Sequence, residues 1–130
     1  MVMRGIRGAV MATANETEAI ATATKALLQE IILVNPTLAT ADIASVFFTV
    51  TDDLNASYPA LAARELGWHD VPLLCAREIP VPGSMPMCIR VLIHWNTPLP
   101  QNDVQHVYLG ETARLRPDLP RANGAWAGEA

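Results

Sequence analysis

The stretch Cys88-Ile-Arg-Val-Leu-Ile-His-Trp-Asn-Thr97 constrains this chain more than any other. Ile89, Val91, Ile93 and Trp95 fall on one face, and Arg90, Leu92 and His94 on the other, which is the two-residue period of a strand. Pro98 and Pro100 close it. A strand this apolar belongs inside a sheet, so partners are required. Residues 3–10, 44–51, 71–76 and 107–109 are the predicted partners, each a short apolar or β-branched run.

The spacing predicts one long helix over 16–34, with Ile20, Leu27, Ile31 and Val34 on one side. Asn15 is placed to cap it, with Glu18 in capping-box position, and Asn35-Pro36 ends it. Thr40 is expected to cap a short turn through Asp42. Pro59 opens a short helix running to about Leu66, and Gly67 stops it. Pro80, Pro82, Gly83 and Pro86 mark an irregular connection, and 101–106 a short helical turn. The expected fold is α+β: a five-stranded mixed sheet covered by one long helix, forming a single domain over 1–119. Residues 120–130, small and polar, are expected to form a flexible tail. One helix covers only one face of a sheet. The other face stays bare, which implies self-association.

With 51% hydrophobic and 17% charged residues, a chain of 130 can bury a core without disulfides. A net charge of -4 with no Lys/Arg run argues against nucleic-acid binding. Lys25 is the sole lysine; the other cations are arginines, whose fixed charge and planar fork suit carboxylates. Cys75 and Cys88 make no disulfide framework, and charge and glycine stand at the start where a signal peptide would be apolar. No apolar run reaches the ~20 residues of a membrane span. The expectation is a cytoplasmic protein with two free thiols and no membrane partner. His69, His94 and His106 have no metal-ligand spacing, and no phosphate loop or Gly-x-Ser-x-Gly elbow occurs. No metal and no cofactor are expected.

A few polar residues ask for explanation. Arg90, inside the central strand, must find a carboxylate (Glu65, Glu78 or Asp70), face solvent, or serve a ligand. Arg7 lies between Gly5 and Gly8 in a strand, and glycine there marks a close approach or a bulge. Glu78 leaves a strand for the proline-rich loop, where functional groups often lie. Read by themselves, Tyr108 is a half-buried aromatic, Cys75 a small hydrophobe, and Arg114 and Arg116 surface charges.

Six segments, in order and over residues 3–119, resemble the small monofunctional chorismate mutases known from bacilli. They are Met3-Arg-Gly-Ile-Arg-Gly-Ala9, Thr51-Asp-Asp-Leu-Asn-Ala-Ser-Tyr-Pro-Ala60 with Ala63-Arg-Glu-Leu66, Val71-Pro-Leu-Leu-Cys75 with Glu78, Cys88-Ile-Arg-Val91, His106-Val-Tyr-Leu109 and Leu115-Arg-Pro-Asp-Leu119. The resemblance implies an isomerase converting chorismate to prephenate in the shikimate pathway, toward phenylalanine and tyrosine. It implies a homotrimer with a barrel-like core and active sites at subunit interfaces. By the same resemblance, Arg7 and Tyr108 hold a substrate carboxylate, Arg90 faces the ether oxygen of the breaking bond, and Glu78 with the Cys75 region receives the ring hydroxyl. Tyr58, Ala60, Arg64, Leu74, Leu115 and Arg116 line or close the pocket. Leu61 stands where some relatives carry lysine, and Leu74 where threonine is common. Two other readings of the same architecture are a reactive-imine deaminase and a non-catalytic trimeric binder of a small carboxylate.

Overall fold

The computed structural model describes residues 1–116. The central strand forms over the expected residues, Cys88–Thr97, with burial alternating along it. In chain order the sheet comprises β1 (Val2–Met11), β2 (Ile43–Val50), β3 (Leu73–Arg77), β4 (Cys88–Thr97) and β5 (Val107–Tyr108). Across the sheet they run β3-β2-β4-β1-β5. β4 pairs antiparallel with β1 and β2, while the outer pairs β2–β3 and β1–β5 are parallel. The mixed sheet is therefore as expected.

Helix α1 (Thr17–Val34) buries Ile20, Thr24, Leu27, Leu28 and Ile31. Ile20, Leu27, Leu28 and Ile31 join Ile6, Val46, Phe48, Ile93, Trp95 and Val107 in one core on that face of the sheet. Gly8 permits the close approach: a Cβ there would lie 3.0 Å from the Val107 carbonyl oxygen and 3.1 Å from Leu27 Cδ1. A second helix, α2 (Pro59–Glu65), makes the crossover from β2 to parallel β3. Gly67 ends it at φ 95°.

Three local expectations are corrected. Asn15 does not cap α1, whose N-cap is Glu16 with no side-chain bond. Asn15 Oδ1 instead accepts the backbone N–H groups of Asn55 and Ala56, both at 3.0 Å. A distant loop with two donors to satisfy outcompetes the local cap. Thr40 likewise makes no cap bond to its 3-10 turn. The strand expected from 71 begins at Leu73, because Pro72 has no N–H and offers only its carbonyl, which accepts from Val46.

One element is unforeseen. Residues Gly110–Leu115 form a 3-10 turn over β1, with the Thr112 hydroxyl shared between the carbonyls of Ala9 (3.0 Å) and Leu109 (2.6 Å). Beneath it Ala9, Cys88, Tyr108 and Ala113 form a second, smaller core. Among the described residues no helix is long and apolar enough to cross a membrane. The expected tail, 120–130, lies outside the described residues.

Candidate active site

The face of the sheet away from α1 carries the polar residues. Register sets them in rows: Thr49 on β2 lies opposite Arg90 on β4, which lies opposite Ala9 on β1, which pairs with Tyr108 on β5. The neighbouring row is Leu74, Phe47, Leu92 and Arg7. Arg7, Phe47, Thr49, Glu78, Arg90 and Tyr108 line a cavity of about 420 Å³ on this face.

Arg90 is placed by a braced strand entry. Met87, just before β4, takes a left-handed φ of 52°, which costs a non-glycine residue about 1 kcal/mol. Both carboxylate oxygens of Asp53 accept the Met87 N–H, at 3.1 and 2.9 Å, and Thr51 Oγ1 accepts the Cys88 N–H at 3.0 Å. Three residues on, Arg90 Nε is buried and makes no hydrogen bond among the described residues. It lies 3.5 Å from Glu78 Oε2, longer than a charge-assisted hydrogen bond. Of the partners open to Arg90 in the sequence, Glu65 pairs with Lys25 instead, at 3.3 Å. Arg90 thus has Glu78 beside it and a cavity in front of it.

Glu78 leaves β3 with its backbone N–H donating to Val50 O at 2.8 Å, which prolongs the β2–β3 ladder. Its Oε2 accepts the Thr49 hydroxyl at 2.6 Å. Arg7 is held from β1, its backbone N–H donating to His106 Nδ1 at 3.0 Å. Burial lowers the His106 pKa from the ordinary 6.5, and the Arg7 and Arg116 charges lower it further. Burial pushes the Cys88 thiol up, partly offset by the neighbouring Arg90 guanidinium.

The structure brings Arg7, Glu78, Arg90 and Tyr108 together. It holds Tyr58, Ala60, Arg64 and Cys75 apart, at the β3 edge. Cys75 pairs with buried Phe48 and turns toward the helix-covered side, where it packs on the main core. Burial raises its thiol pKa, opposed by the Ala60 backbone and the Arg64 charge. Tyr58, 68% exposed, lines a separate cavity of about 350 Å³ with Cys75. Leu74 is exposed on β3, and Leu115 packs on the smaller core. The Arg116 charge reaches His106. β3 stands three strand spacings from β1, roughly 14 Å.

Thr49 and Phe47 escaped the sequence reading. The period of β2 places them on one face, but only the β2–β4 register puts Thr49 opposite Arg90. Among the described residues no group of His, Cys, Asp or Glu is arranged to hold a metal ion.

A mixed sheet with two arginines, a carboxylate and a tyrosine around one open-face cavity defines a class of protein that handles small anions through fixed cations. The family described as chorismate mutase type I matches residues 3–119, and the chain belongs to that family. It is 53% identical to the chorismate mutase AroH of Thermus thermophilus, over 93% of this chain and 99% of that protein. It is 43% identical to the chorismate mutase AroH of Bacillus subtilis (strain 168), over 92% of this chain and 94% of that protein. The solved structure of a chorismate mutase from Clostridium thermocellum superposes with a TM-score of 0.78 at 47% identity, covering 81% of this chain and 93% of that one.

Proposed function

We propose that this chain catalyses the intramolecular Claisen rearrangement of chorismate to prephenate, serving phenylalanine and tyrosine synthesis. The observation that carries the mechanism is Arg90: a guanidinium with a buried, unbonded Nε beside a cavity. Chorismate is a dianion that rearranges within itself, so no proton need move and no nucleophile need attack. Two tasks remain. The reactive folded conformer must be selected, and negative charge growing on the ether oxygen must be met.

Arg7 and Tyr108 serve the first task by holding a carboxylate, as an entropy trap. Glu78 accepts the ring hydroxyl. Arg90 serves the second, meeting the ether oxygen as the bond breaks. A preplaced donor aimed at developing charge is worth ~3–4 kcal/mol.

The chain acts as a homotrimer with active sites between subunits. Two observations support this. Phe47, Leu74 and Leu92 are 41%, 58% and 37% exposed on the open face, a patch too apolar for an isolated chain. The site residues also split into two groups, one lining the open-face cavity and the other lying at the β3 edge around a separate cavity. Contact between copies would bring Tyr58, Ala60, Arg64, Leu74 and Cys75 of one subunit to the Arg7, Glu78, Arg90 and Tyr108 of the next. Leu115 and Arg116 would close the pocket from the end of the fold. The two free thiols, Cys75 and Cys88, fit a cytoplasmic location.

The test is loss of chorismate absorbance with purified protein and no additive. Turnover is expected, and Arg90→Ala should lose roughly 100- to 1000-fold in kcat while keeping its assembly. A wild-type chain that leaves chorismate intact, or an Arg90→Ala variant with near-normal turnover, contradicts the assignment.

A further inference from the structure

The carboxylate of Glu78 stands 3.5 Å from Arg90 Nε without forming a hydrogen bond to it. Left alone, a carboxylate and a guanidinium close to two-point contact at about 2.7–2.9 Å. Something keeps this pair open. The Thr49 hydroxyl donates to Glu78 Oε2 at 2.6 Å, to the very oxygen that faces Arg90. Thr49 is fixed by register directly opposite Arg90, and the Glu78 backbone is tied to Val50, the next residue of the same strand. β2 therefore holds both ends of Glu78, its main chain and its carboxylate.

We propose that Thr49 is a positioning residue, whose hydroxyl restrains the Glu78 carboxylate short of closing on Arg90 and so keeps the guanidinium available to the cavity. The proposal rests on the mutase reading above. Without the hydroxyl, Oε2 loses its donor and the nearest replacement is Arg90 itself. A closed pair withdraws both groups from a ligand at once: the cation is neutralised and the carboxylate no longer receives a hydroxyl.

The test compares Thr49→Val, Thr49→Ala and Thr49→Ser by steady-state chorismate consumption. Val and Ala remove the hydroxyl, whereas Ser keeps it and loses only the methyl. The expected result is a fall in kcat of roughly 10- to 30-fold for Val and Ala, and recovery to within about threefold of wild type for Ser. Because the effect passes through the carboxylate, Thr49→Val made in a Glu78→Gln background should cost less than about twofold more. If the valine variant does not fold, the Ala-to-Ser comparison carries the same distinction.

Near-wild-type kcat in Thr49→Val or Thr49→Ala overturns the proposal. So does a serine variant as impaired as the alanine one, or an undiminished loss in the Glu78→Gln background; each would mean Thr49 only fills space. An inactive wild-type chain would overturn the mutase reading and this proposal together, so the two failures are distinguishable.

Discussion

Among the residues that hold the site, His106 ties stability to pH through its imidazole. His106 must be neutral at Nδ1 to accept the Arg7 N–H. Burial, then the charges of Arg7 and Arg116, lower its pKa below 6.5. As pH falls, the unfolded chain therefore takes up this proton first. The stability His106 contributes is complete above its unfolded pKa and is lost as pH falls through the lower folded value. Thermal melts of wild type and His106→Leu should differ most near about pH 7, and the gap should shrink toward about pH 5. A gap that widens on acidification would mean that the protonated ring is the stabilising form. Residue identity was partly legible: Arg7 and Arg90 stood out as charges inside strands and Glu78 as a carboxylate at a strand exit, whereas Tyr108 by itself read as an ordinary aromatic and joined them only through the family resemblance. Thr49 could not be picked out, because threonine is an ordinary strand residue and its meaning lies entirely in what it faces.

At the scale of elements, period decided what could be read. β4 and α1 were legible because apolar side chains repeat at 2.0 and 3.6 residues over ten and eighteen positions. The 3-10 turn Gly110–Leu115 has no such repeat, and its anchor is Thr112 on a strand more than a hundred residues away. The two glycines of β1 looked alike in the sequence and are not. Gly5 has room, since an added Cβ would meet Leu92 at an ordinary 3.6 Å. Gly8 has none, with the Val107 carbonyl oxygen at 3.0 Å and two α1 side chains at 3.1 and 3.2 Å. Gly8→Ala should destabilise the fold by about 1–3 kcal/mol, as overpacking does, while Gly5→Ala should stay within about 1 kcal/mol. Denaturant midpoints check this; equal effects at both positions would refute the close approach of α1 and β5 to Gly8.

For the whole molecule, the open face is the feature that a single chain leaves unresolved. Its apolar residues sit beside Arg7 and Arg90, so under the proposed trimer, assembly and catalysis would share one surface. Phe47→Asp places a charge in the middle of it, across from Leu92 and Leu74. Sedimentation should show the variant as a monomer, and turnover should fall with the loss of assembly. A variant with the wild-type mass in solution would show that this face is not the contact between copies.

The sequence by itself determined which residues share a face, because side-chain direction follows from helix or strand period and needs no partner. It also determined that a permanent cation lies within an apolar strand. Tertiary structure alone decided which faces meet. Strand register set Thr49 against Arg90, a distant loop captured Asn15 from its helix, and strand order divided the candidate site residues into two groups. Such choices depend on contacts between segments far apart in the chain, whose energies no local pattern contains.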